Sequence, residues 1–169
     1  MSIPVKVQRR TIFNDLEGVK EITQLIVGET CWRAIMSYGD ELVLHAGARI
    51  PYSQKSMVGK EKGSWILGTK ITEWQLECKG EMLFSSQSLP EMRDEIHVIE
   101  GTKITAFEIS TELGLTVEFS NGCQLKLFPN EQDDSDLPYY ELFTPDRMVL
   151  KVGKGASLSY LPSDLPESN

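Results

Sequence analysis

Apolar and polar residues alternate with a period of two along much of this chain, in runs such as ITAFEIS (104–110), LTVEFS (115–120) and CQLKLF (123–128). Successive side chains of an extended chain point to opposite faces, so the pattern predicts strands with one face buried and one wet. The Asn121-Gly122 pair between two of these runs predicts a tight hairpin of type I′, with both residues at positive φ. Upstream, WRAIMS, ELVLH and ARIPY are separated by Tyr38-Gly39-Asp40 and by Ala46-Gly47, both read as turns. WILGT (65–69), EWQLEC (73–78) and EMLFSS (81–86) continue the meander, with Lys79-Gly80 and Pro145-Asp146 as further expected turns. Helix is expected in two short segments only. LEGVKEITQLI, capped by Asn14 or Asp15, carries Leu16, Val19, Ile22 and Leu25 as an apolar stripe, and LPEMRDEI is capped by Ser88 with Pro90 in its first turn.

The two halves share a hydrophobic phase. A shift of 73 residues lays Leu16 on Leu89, Gly28 on Gly101, Ala34 on Phe107, Leu42 on Leu115 and Leu44 on Val117. Farther on, a shift of 66 lays EWQLECKGEML (73–83) over YYELFTPDRMV (139–149), pairing Trp74 with Tyr140 and Leu76 with Leu142. The expected fold is therefore mainly β: two tandem pseudo-repeated antiparallel β-meander units packed as one compact body, with one or two short helices. The first unit spans 1–87, with an N-terminal strand and a short helix, and the second spans 88–156. A tail, 157–169, holds a candidate final strand at SLSYL.

Composition narrows the functional classes. The 169 residues, 40% hydrophobic, suffice for a packed core, and no run of 18 apolar residues suggests a membrane span. A soluble, cytoplasmic protein is expected. Cys31, Cys78 and Cys123 fit neither an even disulfide framework nor a zinc site, so buried free thiols are expected. A net charge of −8, from 25 acidic against 17 basic residues, disfavours direct nucleic-acid binding and attracts basic partners.

Two long loops break the regularity with opposite charge. PYSQKSMVGKEKGS (51–64) carries Lys55, Lys60 and Lys62 against one acid, whereas PNEQDDSDLP (129–138) carries Glu131, Asp133, Asp134 and Asp136 with no base. The acidic loop suits a cationic surface and the basic one an anionic group. The acidic run lacks the spacing of a calcium loop. No catalytic residue set emerges. There are two histidines, His45 and His97, both read as strand-edge or surface residues, and neither H-E-x-x-H nor G-x-S-x-G is present. GSWILGTK (63–70) lacks the lysine placement of a phosphate loop, and no cofactor or metal is expected. Of three tryptophans, Trp65 and Trp74 read as core. Trp32 falls opposite Thr105 under the 73-residue shift and is the candidate exposed aromatic.

The pattern I-E-G-T-K-I-T-A-F-E-I…L-T-V-E-F-S-N-G-C-Q-L-K-L resembles the glycine-led β-meanders of small bacterial proteins, some of them similar to immunity proteins that neutralise a toxin by binding it. The resemblance brings no catalytic set. It implies a non-enzymatic intracellular binding protein that occludes a basic protein partner, such as a toxin or nuclease. The alternative is a protein that sequesters a small anionic, nucleotide-like ligand in a pocket between the two units. Homodimerisation through an exposed strand edge is a third expectation.

Overall fold

The computed structural model describes residues 11–12, 16–37, 39–130 and 136–163, which form twelve strands, one α-helix and four 3-10 turns. In chain order the strands are β1 (Thr11–Ile12), β2 (Thr30–Met36), β3 (Leu42–Pro51), β4 (Glu61–Thr69), β5 (Thr72–Cys78) and β6 (Glu81–Ser85). There follow β7 (Thr102–Ile109), β8 (Leu115–Phe119), β9 (Cys123–Pro129), β10 (Tyr140–Phe143), β11 (Met148–Gly153) and β12 (Ser157–Pro162). The mainly β class read from the alternation is what the chain adopts. The tail region contributes β12, which lies between β1 and β11 in the sheet. No helix among the described residues is long and apolar enough to cross a membrane.

The sheet order is β1-β12-β11-β10-β4-β3-β2-β7-β8-β9-β5-β6, with every pairing antiparallel. The meander β2-β3-β4 is extended by the β10-β11 hairpin, and the meander β7-β8-β9 by β5-β6. Taking each meander with the hairpin that extends it as one half of the sheet, two residue pairs, Thr30↔Lys103 and Cys31↔Thr102, join the halves through β2 and β7. The ladders of the halves correspond in detail. Ala34↔Leu44 in β2-β3 has its counterpart in Phe107↔Val117 of β7-β8, and the register irregularity between Cys31 and Arg33 recurs between Ile104 and Ala106.

Reciprocal hydrogen bonds stitch the seam. Gly28 N–H donates to the Ile104 carbonyl and Gly101 N–H to the Cys31 carbonyl, each at 2.7 Å. Trp74 on β5 donates its indole N–H to the Asp40 carbonyl, while the Tyr140 hydroxyl on β10 donates to the Leu113 carbonyl, both at 2.8 Å. Each aromatic ring thus fills the core and satisfies its polar tip on the other half's β-turn. Inward residues of both halves, Leu44, Leu67 and Leu142 with Leu76, Val117 and Leu125, belong to one buried cluster.

Several local expectations are corrected. The helix α1 (Leu16–Thr23) and the following 3-10 turn bury Val19, Thr23 and Ile26, while Leu25 is exposed. A strict spacing of three lags a 3.6-residue turn, so Leu25 drifts off the face that Val19 defines. Asn14 and Asp15 lie outside the described residues. Pro90–Ile99 forms a 3-10 helix whose preceding Ser88 does not cap it; the Ser88 hydroxyl instead accepts the Ser85 N–H. Ala46-Gly47 is no chain reversal but an irregularity inside β3, with Gly47 at φ +80. At Asn121-Gly122 only the glycine has positive φ, and the Asn121 carboxamide accepts the Cys123 N–H. The turn with both central residues at positive φ is Lys79-Gly80, the two-residue loop between β5 and β6.

The cysteines also depart from expectation. Cys78 and Cys123 face each other at the paired ends of β5 and β9 and are joined as a disulfide, while Cys31 stays free and buried. Spacing along the chain does not reveal which cysteines become cross-strand neighbours; register does. Desolvation pushes the Cys31 thiol up to about 12, so it is unreactive at neutral pH. The bridge spans 45 residues, for which loop-closure entropy alone gives about 4 kcal/mol. Cys78→Ser with Cys123→Ser is expected to lower the Tm by about 10 °C in a thermal melt. Alkylation of the unreduced, unfolded wild-type chain should modify one cysteine rather than three.

Candidate functional site

The irregularity in β2 falls at Trp32, between the paired residues Cys31 and Arg33. A bulge re-aims a side chain, and this one sets a half-buried indole against the polar face of the β2-β3-β4 meander. The Trp32 ring lies 5.5 Å from the imidazole of His45 on β3, and the Arg49 guanidinium carbon sits 4.3 Å from its centroid. The second irregularity, between Ala46 and Arg49, lets β3 continue to Pro51 and pair with Glu61–Gly63, so the hairpin projects past the sheet. Tyr52 N–H donates to the Lys60 carbonyl at 3.1 Å near its tip, and the Lys62 ammonium lies 5.6 Å from the Tyr52 ring centroid.

Between hairpin and sheet face is a cleft of about 480 Å³ lined by Trp32, Arg33, His45, Tyr52, Lys60 and Glu61, among others. Arg33, Arg49, Lys60 and Lys62 form no ion pair with any described residue. The Trp32 Nε1–H is shielded from solvent and has no acceptor among the described residues. His45 is buried within β3, not at an edge, and its Nδ1 accepts the Gly63 N–H at 2.9 Å, which leaves the proton on Nε2. Burial, helped by the nearby Arg33 charge, pushes its pKa down to about 4. The imidazole is thus neutral at physiological pH, with its basic nitrogen occupied.

The structure gathers part of the predicted set. Trp32 and Lys60 share the cleft, and Lys62, on β4 rather than in a loop, lines a second cleft of about 620 Å³. Lys55 is exposed in the 3-10 turn Lys55–Met57 and lines neither. Asp136 is exposed; Glu131, Asp133 and Asp134 lie outside the described residues. The cleft beside Trp32 is built wholly from residues 32–61, whereas the cleft that Lys62 lines draws on both predicted units, with Ile50, Lys62 and Ile66 from the first and Phe143, Thr144 and Arg147 from the second. Arg33, His45, Arg49 and Tyr52 were missed as members of one site because Ala46-Gly47 reads as a turn. Taken as a bulge, it keeps His45 and Arg49 on one continuous strand.

The other histidine is a surface residue as expected, with His97 Nδ1 3.1 Å from a Glu100 carboxylate oxygen. A cleft of about 850 Å³ lies on the second half, lined by Glu108, Glu112, Lys126 and Phe128 among others. Its lysine is already bound to Glu77 at 2.8 Å, so its lining offers no free cation and two carboxylates. Among the described residues no cluster of metal-ligating side chains occurs. No protein-family model, curated protein or solved structure matches the chain.

His45 gives this site a pH signature. The unfolded chain takes up the histidine proton near pH 6.5 and the native chain only near 4. Between those values the unfolded state binds more protons, so the contribution is full above pH 6.5 and is lost as pH falls toward 4. His45→Gln keeps an acceptor for Gly63 N–H without the titration. In urea denaturation at pH 7.5 and pH 4.5, wild type should lose roughly 2–3 kcal/mol more stability than His45→Gln. Equal losses would remove His45 as the titrating group.

Proposed function

We propose that the protein is a non-enzymatic binding protein that takes a small anionic ligand bearing a planar ring, nucleotide-like in character, in the cleft lined by Trp32, Tyr52 and Lys60. The observation that carries this reading is Trp32. Its ring is half-exposed and its buried N–H is unsatisfied, a cost of about 1–3 kcal/mol that core packing does not repay. Arg33 and Lys60 line the same cleft and Arg49 lies over the Trp32 ring, none of them ion-paired among the described residues, and they would meet the ligand's negative charge. Acid–base catalysis is disfavoured because the accepting nitrogen of His45 is already occupied.

The corresponding ladders support a duplicated unit of which one copy carries the site. Where β2 and β3 have Trp32, Arg33 and His45, the register of β7 and β8 offers Thr105, Ala106 and Glu118. At these register positions the indole, the guanidinium and the imidazole occur in the first copy alone. The rival reading, an immunity-type protein that occludes a basic partner, draws on exposed Asp136 beside exposed Leu137, an acid next to an apolar contact. Cytoplasmic residence fits either reading only where the Cys78–Cys123 bridge survives reduction; an oxidising compartment suits that bridge better.

Titration with the nucleoside monophosphates, followed by thermal shift and indole fluorescence, tests the choice. Binding at a hundredfold excess over Kd should stabilise the wild type by about 2.7 kcal/mol. Trp32→Leu and Lys60→Gln should each weaken binding at least tenfold, while Asp136→Asn leaves it unchanged. If no nucleotide stabilises the protein and Asp136→Asn instead abolishes salt-sensitive binding to a cationic nuclease, the protein-partner reading replaces this one.

A further inference from the structure

The second cleft contains a group of residues that the Trp32 reading does not use. It opens where the β3-β4 hairpin meets the turn between β10 and β11, and its polar lining is Ser53, Lys62, Ser64, Thr144, Arg147 and Ser163. No carboxylate lines it among the described residues. The sequence neighbour Asp146 is engaged by the Thr144 and Tyr160 hydroxyls, with Tyr160 donating at 3.0 Å. That network also commits the Thr144 hydroxyl. The Ser64 oxygen accepts the Ala48 N–H at 3.0 Å and keeps its own hydrogen to donate. The cleft therefore presents two cations from different strands or turns, with serine hydroxyls between them and nothing negative to neutralise them.

The backbone supplies an independent observation. Arg147 has φ +64, in the left-handed region that glycine enters freely and a residue with a Cβ enters at a cost. Two other described non-glycine residues share this feature. Lys79 closes a two-residue hairpin, and Leu113 is buried, so its side chain packs. Arg147 is exposed and forms no ion pair among the described residues, so neither packing nor charge pairing accounts for arginine where glycine would fit better. The turn requires the conformation; the side chain answers to something else.

We propose that Lys62 and Arg147, assisted by the hydroxyls of Ser53, Ser64 and Ser163, form an oxyanion site for a phosphate group, either free or as the ester or diphosphate of a small metabolite. Two fixed cations match a phosphate dianion, guanidinium presents a forked pair of donors to its oxygens, and hydroxyl hydrogens complete the shell. This site goes beyond the Trp32 cleft and does not require it.

Isothermal titration and thermal shift with sodium phosphate and pyrophosphate, against chloride at matched ionic strength, test the proposal. Both anions should raise the Tm where chloride does not. Arg147→Gly should cut affinity at least tenfold while the unliganded Tm stays equal or rises, because relief of the backbone separates lost binding from lost folding. Lys62→Gln should cut affinity comparably, and Trp32→Leu should leave it unchanged, so failure here is distinct from failure of the Trp32 reading. Tighter binding of ribose 5-phosphate than of phosphate would identify an ester as the ligand, and equal binding the free anion. Stabilisation no greater than that by chloride, or affinity indifferent to both Arg147→Gly and Lys62→Gln, would overturn the site.

Discussion

Neither three-stranded meander completes its sheet with the hairpin that follows it in the chain. Only Lys70 and Ile71 separate β4 from β5, yet β4 pairs with β10 and β5 with β9. An uncovered edge strand leaves backbone donors and acceptors open to any other chain, so the long-range pairing is what makes each half complete. Much else follows. The common core, the Trp74 and Tyr140 tethers and the Cys78–Cys123 bridge all link segments that this exchange brings together.

The two halves of the sheet present dissimilar polar faces. On the second half, Glu77 holds Lys126 at 2.8 Å and Glu118 accepts from Gln124 at 2.7 Å, so the polar groups of that face answer one another. On the first half a bulge falls at Trp32, a second one extends β3 into the hairpin, and the cations nearby form no ion pair among the described residues. The first bulge lies one pair from the end of the β2-β3 ladder, and the second divides the β3-β4 ladder between Ala46 and Arg49; each redirects the chain with extra residues. A self-satisfied face needs no ligand; the other leaves its electrostatic demand open.

Strand positions were legible because burial on one face writes alternation into the sequence, as in Leu115, Val117 and Phe119. Features that depend on register were not. Cys78 and Cys123 are paired only once β5 is known to lie beside β9. Gly47 marks a bulge rather than a reversal, a distinction set by Gly63–Trp65 opposite it, and Lys62 belongs to a strand for the same reason. Trp32 stood out because no aromatic occupies the matching position of the other half. His45 did not, since a buried histidine and an edge histidine look alike until its Gly63 partner is known.

The exchanged hairpins also set a timetable for synthesis. When Thr69 leaves the ribosome, the edge of β4 has no partner until Tyr140–Phe143 is made, 71 residues later by numbering. At ribosomal speed that interval is roughly 4 to 14 s, during which an unpaired strand is open to neighbouring nascent chains. The price of an interlocked native state is thus a vulnerable newborn one, and on crowded polysomes a holdase chaperone is the natural guardian of that interval.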